Sequence, residues 1–302
     1  MLSTFISDIH LDSCLMNAAG CWCYSKEELD QLNQSVSGAV VSKSGTINPR
    51  TGNPEPRFYC NQHGSINSMG IPNLGYKFYS HYGTTVSKPF IQSIYPFDSN
   101  ELLMMLYDIN SALDKRQLVE INISCPNVNN FIDIEKWLDT INQTSCGQLL
   151  IGVKLKPYYD NQHFDIVANL LKKYSSRIKF ITCINSVVNG LIVDHMNEKP
   201  VIVPNNGLGG IGGAYCKPTA LSNVYNFYQR IPRDISIIGC GGIICGIDVF
   251  EHILCGASAV QIGTQLVIEG PTVFDRIGSE LANLMATKKY QLLTDFIGQL
   301  KN

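Results

Sequence analysis

A cysteine at position 125 stands between two asparagines in the run "NISCPN", Asn122 to Asn127. An unperturbed thiol titrates at about 8.5, within reach of neutral pH, so Cys125 could act as a base toward a substrate C–H bond. Each asparagine offers an amide donor and an acceptor, which suits the edge of a planar heterocycle. Two lysines, Lys43 and Lys154, fall at or near the ends of β-branched runs, and two glycine turns, "GCGG" at 239–242 and "IGT" at 262–264, follow similar runs. Backbone amides in such turns can hold a phosphate. A phosphate site with lysines and amides fits flavin mononucleotide, whose anionic reduced ring a lysine stabilises. The chemistry would be a dehydrogenation, with a proton to the thiolate and a hydride to the flavin. Each residue also has a plainer reading. The lysines could reach solvent, the glycines could only turn the chain, and the asparagines could be turn formers. Cys125 could be a small buried hydrophobe.

The elements that must position these residues alternate along the chain. Apolar, β-branched runs at 14–19, 38–43, 89–94, 118–124, 149–155, 178–185, 235–240 and 258–263 predict strands. Helical spacing appears at 25–34, 99–115, 132–143, 163–174, 219–230, 246–255 and 271–287. Eight strands alternating with helices point to a (βα)8 barrel spanning residues 1–302 as one domain. Counting alone leaves an open doubly wound sheet, but "NAAGCWC" after the first strand is not G-x-G-x-x-G. In a barrel the site forms at the C-terminal strand ends. Those ends carry Ala19, Lys43-Ser44, Asn122, Lys154, Asn185-Ser186, Gly241-Gly242 and Gly263-Thr264, with no Asp or Glu among them. Long connections after strands two (44–88) and six (187–218) break the rhythm, and loops of that length are usually functional.

Composition sets the bounds. Of 302 residues, 45% are hydrophobic and the net charge is −2, which supports a large core and argues against a nucleic-acid partner. No run of about 18 apolar residues predicts a membrane span, and the N-terminus lacks a signal-peptide pattern. Eleven cysteines without a C-x-x-C pair argue for reduced thiols in the cytoplasm and against zinc or an iron–sulfur cluster.

Several motifs together resemble class 1A dihydroorotate dehydrogenases. They are "NAAG" (17–20), "SKSGT" (42–46), "RTGNPEPR" (50–57), "GSINSMGIPNLG" (64–75), "NISCPN" (122–127), "GVKLKPY" (152–158), "NSVVNGL" (185–191), "GLGGIGGAYCKPTALSNV" (207–224), "GCGGI" (239–243) and "QIGTQL" (261–266). The resemblance covers essentially the whole chain in order. It implies a fumarate-linked homodimer with FMN that oxidises dihydroorotate to orotate in pyrimidine biosynthesis. By motif, it implies that Cys125 is the base and that Lys43, Asn67, Met69, Gly70, Ile71, Asn122, Asn127, Asn185 and Ser186 hold the substrate. It further implies that Ala19, Lys43, Ser44, Asn122, Lys154, Ile184, Gly213, Gly241, Gly242, Gly263 and Thr264 hold FMN. Two readings of other classes stay beside it: a Schiff-base lyase using a strand-end lysine, and a flavin-binding relative without turnover.

Overall fold

The computed structural model describes residues 1–112, 117–123, 134–144 and 147–301. Eight parallel strands form one sheet: β1 Leu15–Asn17, β2 Val40–Val41, β3 Phe90–Ile94, β4 Gln117–Asn122, β5 Leu149–Leu155, β6 Ile178–Cys183, β7 Ser236–Cys240 and β8 Ala259–Ile262. The order is β1-β8-β7-β6-β5-β4-β3-β2. A parallel bridge between Met16 and Ala39 joins the two ends, so the sheet closes into a barrel. The buried side chain of Asn17 fastens that seam. It donates to the Val41 carbonyl at 2.7 Å and accepts from the Val41 amide at 2.8 Å.

The nine described helices are α1 Lys26–Gln34, α2 Tyr76–Gly83, α3 Ser99–Ser111, α4 Ile134–Gln143, α5 Asn161–Lys173, α6 Lys217–Arg230, α7 Gly246–Leu254, α8 Thr264–Glu269 and α9 Val273–Thr287. They start where the sequence allows: Ser25 closes a capping box with Glu28, and Asp98 and Asp160 cap α3 and α5. Strands buried on both sides read as continuous apolar runs. Their outward residues, such as Val119, Ile121, Val153 and Ile181, pack with Leu106, Leu138, Leu171 and Phe227 of the surrounding helices. Inward residues are apolar at the bottom, where Ile91, Leu118, Leu150, Phe180 and Ile238 share a cluster. One level higher they are polar: Ser93, Glu120, Thr182 and Gln261.

Most strands are shorter than the sequence runs suggest, β2 being two residues long, whereas β5 fills its whole run of 149–155. The two long connections hold more structure than expected. The first contains α2, which the sequence reading did not predict, and a hairpin of 58–61 with 64–67. The second contributes strands 187–190 and 209–212, and residues 209–212 pair with 64–67. The two connections thus build one four-stranded antiparallel sheet.

Candidate active site

A cavity of about 490 Å³, within the usual range for small-molecule sites, opens at the C-terminal strand ends. It is lined by Ala19, Lys43, Ser44, Asn67, Met69, Ile71, Asn122, Lys154, Ile184, Asn185, Ser186, Gly213, Gly241, Gly242, Gly263 and Thr264. Gly70 stands just behind this lining, its carbonyl accepting from Arg50 Nε at 3.4 Å. Cys125 and Asn127 lie outside the described residues.

Two cations meet here. Lys43 Nζ donates to the Gly20 carbonyl at 2.7 Å. Lys154 Nζ donates to Gln261 Oε1 at 3.0 Å. Both side chains are buried. Burial opposes the Lys154 ammonium, yet the acidic groups around it (Cys240, Glu120, Cys21 and Cys23) outweigh that and keep its pKa above the ordinary lysine value. An amine nucleophile would need the opposite shift, so the site is poorly built for a Schiff base at Lys154.

A row of amides crosses the cavity. Asn185 Nδ2 donates to Asn122 Oδ1 at 3.2 Å, and Asn122 Nδ2 donates to Ser44 Oγ at 3.2 Å. Asn185 Oδ1 accepts from the Ser186 amide at 2.9 Å. Asn67 reaches in from the upper sheet, with Nδ2 on the Gly210 carbonyl at 3.2 Å. Beside it, Ile71 has φ 56°. That left-handed conformation is strained for a β-branched residue, and such strain clusters at functional sites. Asn73 Nδ2 holds the Ile71 carbonyl at 3.0 Å.

The glycine wall is fixed from behind. Gly241 and Gly242 have φ 128° and 76°. A Cβ on Gly242 would stand 2.2 Å from Lys217 Cβ, so no other residue fits there. The following residues are tied to α7: the amides of Ile244 and Cys245 donate to Asp248 Oδ2 at 2.7 and 2.9 Å. Asp248 also pairs with Lys217 at 2.5 Å. His252 Nε2 meets the Gly241 carbonyl at 3.0 Å. Ser65 Oγ and Thr264 Oγ1, 2.8 Å apart, join the upper sheet to the turn after β8.

Glu28 lines the cavity, so the rim is not free of acids. Its carboxylate accepts from the Tyr24 amide at 2.6 Å and completes the cap of α1. The sequence reading also missed Gln261 and Ser65 on the lining. Gln261 was legible as an inward position of the last strand, whereas Ser65 needed the pairing of two distant loops. Among the described residues no group of three or more His, Cys, Asp or Glu could hold a metal.

These residues fit FMN on geometry alone. A buried cation lies beneath the cavity, open space lies over Gly20, and at Gly263 an added Cβ would meet nothing closer than 3.7 Å. Glycine turns form the wall where a phosphate would be held.

The comparisons agree with this geometry. The family model described as dihydroorotate dehydrogenase matches residues 1–285. A Streptococcus pyogenes serotype M5 protein named as a dihydroorotate dehydrogenase A (fumarate) is 45% identical over 309 aligned residues, covering 99% of this chain and 98% of that one. A similarly named protein of Streptococcus equi subsp. equi is 46% identical with the same coverage. Among solved structures, ligand-free DHODH from Eimeria tenella superposes with a TM-score of 0.80 at 20% identity, covering 99% of this chain and 91% of that one. The same organism's DHODH in complex with ferulenol gives 0.78 at 19% identity, covering 99% and 88%. These two likenesses establish the fold. On the family match and the full-length identity, the chain belongs to the dihydroorotate dehydrogenase family.

Proposed function

We propose that this protein oxidises (S)-dihydroorotate to orotate in pyrimidine biosynthesis, with FMN as prosthetic group and fumarate as electron acceptor. The observation that carries the reading is a single cavity uniting two buried lysines, a row of asparagines and two fixed glycine turns. Bound FMN would supply a two-electron acceptor for the hydride of dihydroorotate and, once reduced, a donor for fumarate. The chain's own residues then divide the work. Gly213, Gly241-Gly242 and Gly263-Thr264 hold the phosphate, while Ala19, Ser44 and Ile184 line the ring. Lys154 sets a positive charge against the ring, and Lys43 serves both flavin and substrate. Asn67, Asn122, Asn127, Asn185 and Ser186 orient the pyrimidine by its amide edges, and the backbone at Met69, Gly70 and Ile71 takes the substrate carboxylate. Cys125 acts as the general base that removes the C5 proton of dihydroorotate.

The cytoplasm is the proposed compartment, which agrees with the free state of all nine described cysteines. No helix among the described residues is long and apolar enough to cross a membrane. A homodimer is proposed as well. The segment 187–203 exposes the apolar side chains of Leu191, Val193, Met196 and Val203, which a second copy of the chain would cover.

The test is direct. The purified protein should be yellow, release FMN on heating, bleach anaerobically with dihydroorotate and recover colour with fumarate. A colourless full-length protein, or release of FAD, would overturn the cofactor assignment. A yellow protein that does not bleach would overturn the activity.

A further inference from the structure

Beneath the rim lies a buried carboxylate that the reaction as proposed does not use. Glu120 has no solvent exposure and stands two residues before Asn122 on β4, so both face the barrel interior. Three donors converge on it. Thr182 Oγ1 and Gln261 Nε2 reach Oε2 at 2.7 and 2.8 Å, and Ser93 Oγ reaches Oε1 at 3.5 Å. Gln261, equally buried, accepts from Lys154 Nζ through Oε1 at 3.0 Å. One amide therefore bridges a buried anion and a buried cation. The chain continues the other way, since Ser93 Oγ and Ser44 Oγ are 2.9 Å apart and Ser44 accepts from Asn122.

We infer that Glu120 is a positioning residue: acting through Gln261, its carboxylate keeps Lys154 an ammonium and fixes where its remaining N–H bonds point. The inference rests on the flavin reading for the identity of what Lys154 faces. Its physical basis is the cost of burying a lone charge, which ordinarily drives a lysine to shed its proton. The titratable groups facing Lys154 are Glu120 and the thiols of Cys240, Cys21 and Cys23. Burial pushes all three thiols up, Cys23 to about 12, so they are neutral at pH 7. Lys43 acts on Cys21 and Cys23 and adds a second positive charge. Glu28 acts on the same two thiols, whereas among the described residues Glu120 is the carboxylate that acts on Lys154 itself. It also sets the bridging amide, because with Gln261 Nε2 engaged by the carboxylate, Oε1 is turned to the lysine.

Glu120→Gln removes the charge while keeping the shape and an acceptor for Gln261. In apoprotein, acetic anhydride labelling read at Lys154 by mass spectrometry should run at least tenfold faster in the variant than in wild type at pH 8. FMN affinity, from quenching of flavin fluorescence, should be at least tenfold weaker at pH 8.5 and converge with wild type toward pH 6. A carboxylate with only a structural role would shift melting temperature without moving either pH profile. Labelling and affinity within twofold of wild type across pH 6–9.5 would overturn the inference. Should Glu120→Gln fail to fold, Gln261→Met breaks the bridge but keeps the carboxylate, and FMN binding within twofold of wild type would then refute the role. Wild-type apoprotein that takes up no FMN would sink the flavin reading instead, leaving the labelling profile to decide on Glu120.

Discussion

Acid should loosen this protein through His252. The imidazole is fully buried on α7, and burial pushes its pKa down to about 4. One nitrogen, Nε2, is held by the Gly241 carbonyl at 3.0 Å. The other, Nδ1, has no partner among the described residues and faces the backbone of Gly239, where an added Cβ would be 2.5 Å away. No acceptor awaits a second N–H, so the folded state resists protonation. The unfolded histidine titrates near 6.5. Between these values the unfolded chain binds more protons, so stability is full above about pH 6.5 and falls as pH drops toward 4. The full gap is worth about 3 kcal/mol at 1.36 kcal/mol per pKa unit, and about 2 kcal/mol of it is lost between pH 7.5 and 5. Asp248, Lys217 and Glu251 also act on this ring, and Asp248, held below the ordinary carboxylate range, loses stability in acid too. The comparison must therefore be a difference. His252→Leu leaves the Gly241 carbonyl short of a donor, a roughly pH-independent penalty of about 1–3 kcal/mol. Urea unfolding of both proteins at pH 7.5, 6 and 5 should show the wild type losing about 2 kcal/mol more than the variant. Parallel losses within about 0.5 kcal/mol would refute the argument. Since His252 secures the Gly241 carbonyl, FMN release should begin over the same pH range.

Three further outcomes are expected. Gly242→Ala should lower stability by about 1–2 kcal/mol for its left-handed backbone alone, and more for its 2.2 Å approach to Lys217 Cβ; calorimetry and FMN retention on a desalting column check it, and unchanged retention would speak against the phosphate role. Cys125→Ala should keep FMN yet slow anaerobic bleaching by dihydroorotate about 10²–10⁴-fold, the usual worth of a general base, as stopped-flow absorbance can measure; a rate within a few-fold of wild type would make the thiol structural. Steady-state kinetics should be ping-pong, with orotate competing against fumarate for one cavity, and efficient turnover with quinone but none with fumarate would contradict the acceptor assignment.

How much of this was legible in the sequence depended on how local each signal was. All eight barrel strands were readable because strands buried on both faces are written as continuous apolar runs. Their lengths were legible only in part, since hydrophobicity can persist past the point where the ladder stops: the run at 38–43 yields only Val40–Val41 as strand, whereas 149–155 is strand throughout. Helix α2 escaped notice because Gly75 precedes it as an N-cap without a side chain to cap it, inside a stretch rich in Gly, Pro and Asn. The upper sheet could not be read locally at all, because residues 64–67 find their partner at 209–212. Glu120 is the instructive omission. It lies at an inward position of a strand already recognised, but attention to strand ends alone missed the layer below them.

That layer separates the part of the candidate site held by the barrel from the part carried on the connections. A polar belt inside a barrel is tolerable only when every member is satisfied, since a partly satisfied network is worse than an apolar core. Here Ser93, Glu120, Thr182, Gln261 and Lys154 come from five different strands and bond to one another. Their positions are set by the registers Thr182 with Lys154 and Ser93 with Glu120. The charge beneath the cavity is thus aimed by the barrel's own hydrogen-bond ladder, and electrostatic preorganisation of this kind needs no rearrangement when substrate arrives. The described groups proposed to discriminate the substrate stand instead where strands run out into connections, at Asn67, Ile71 and Asn185. Substitutions in the belt should therefore move flavin affinity and its pH dependence, while substitutions at those connections should move substrate KM and the rate of bleaching with flavin retained.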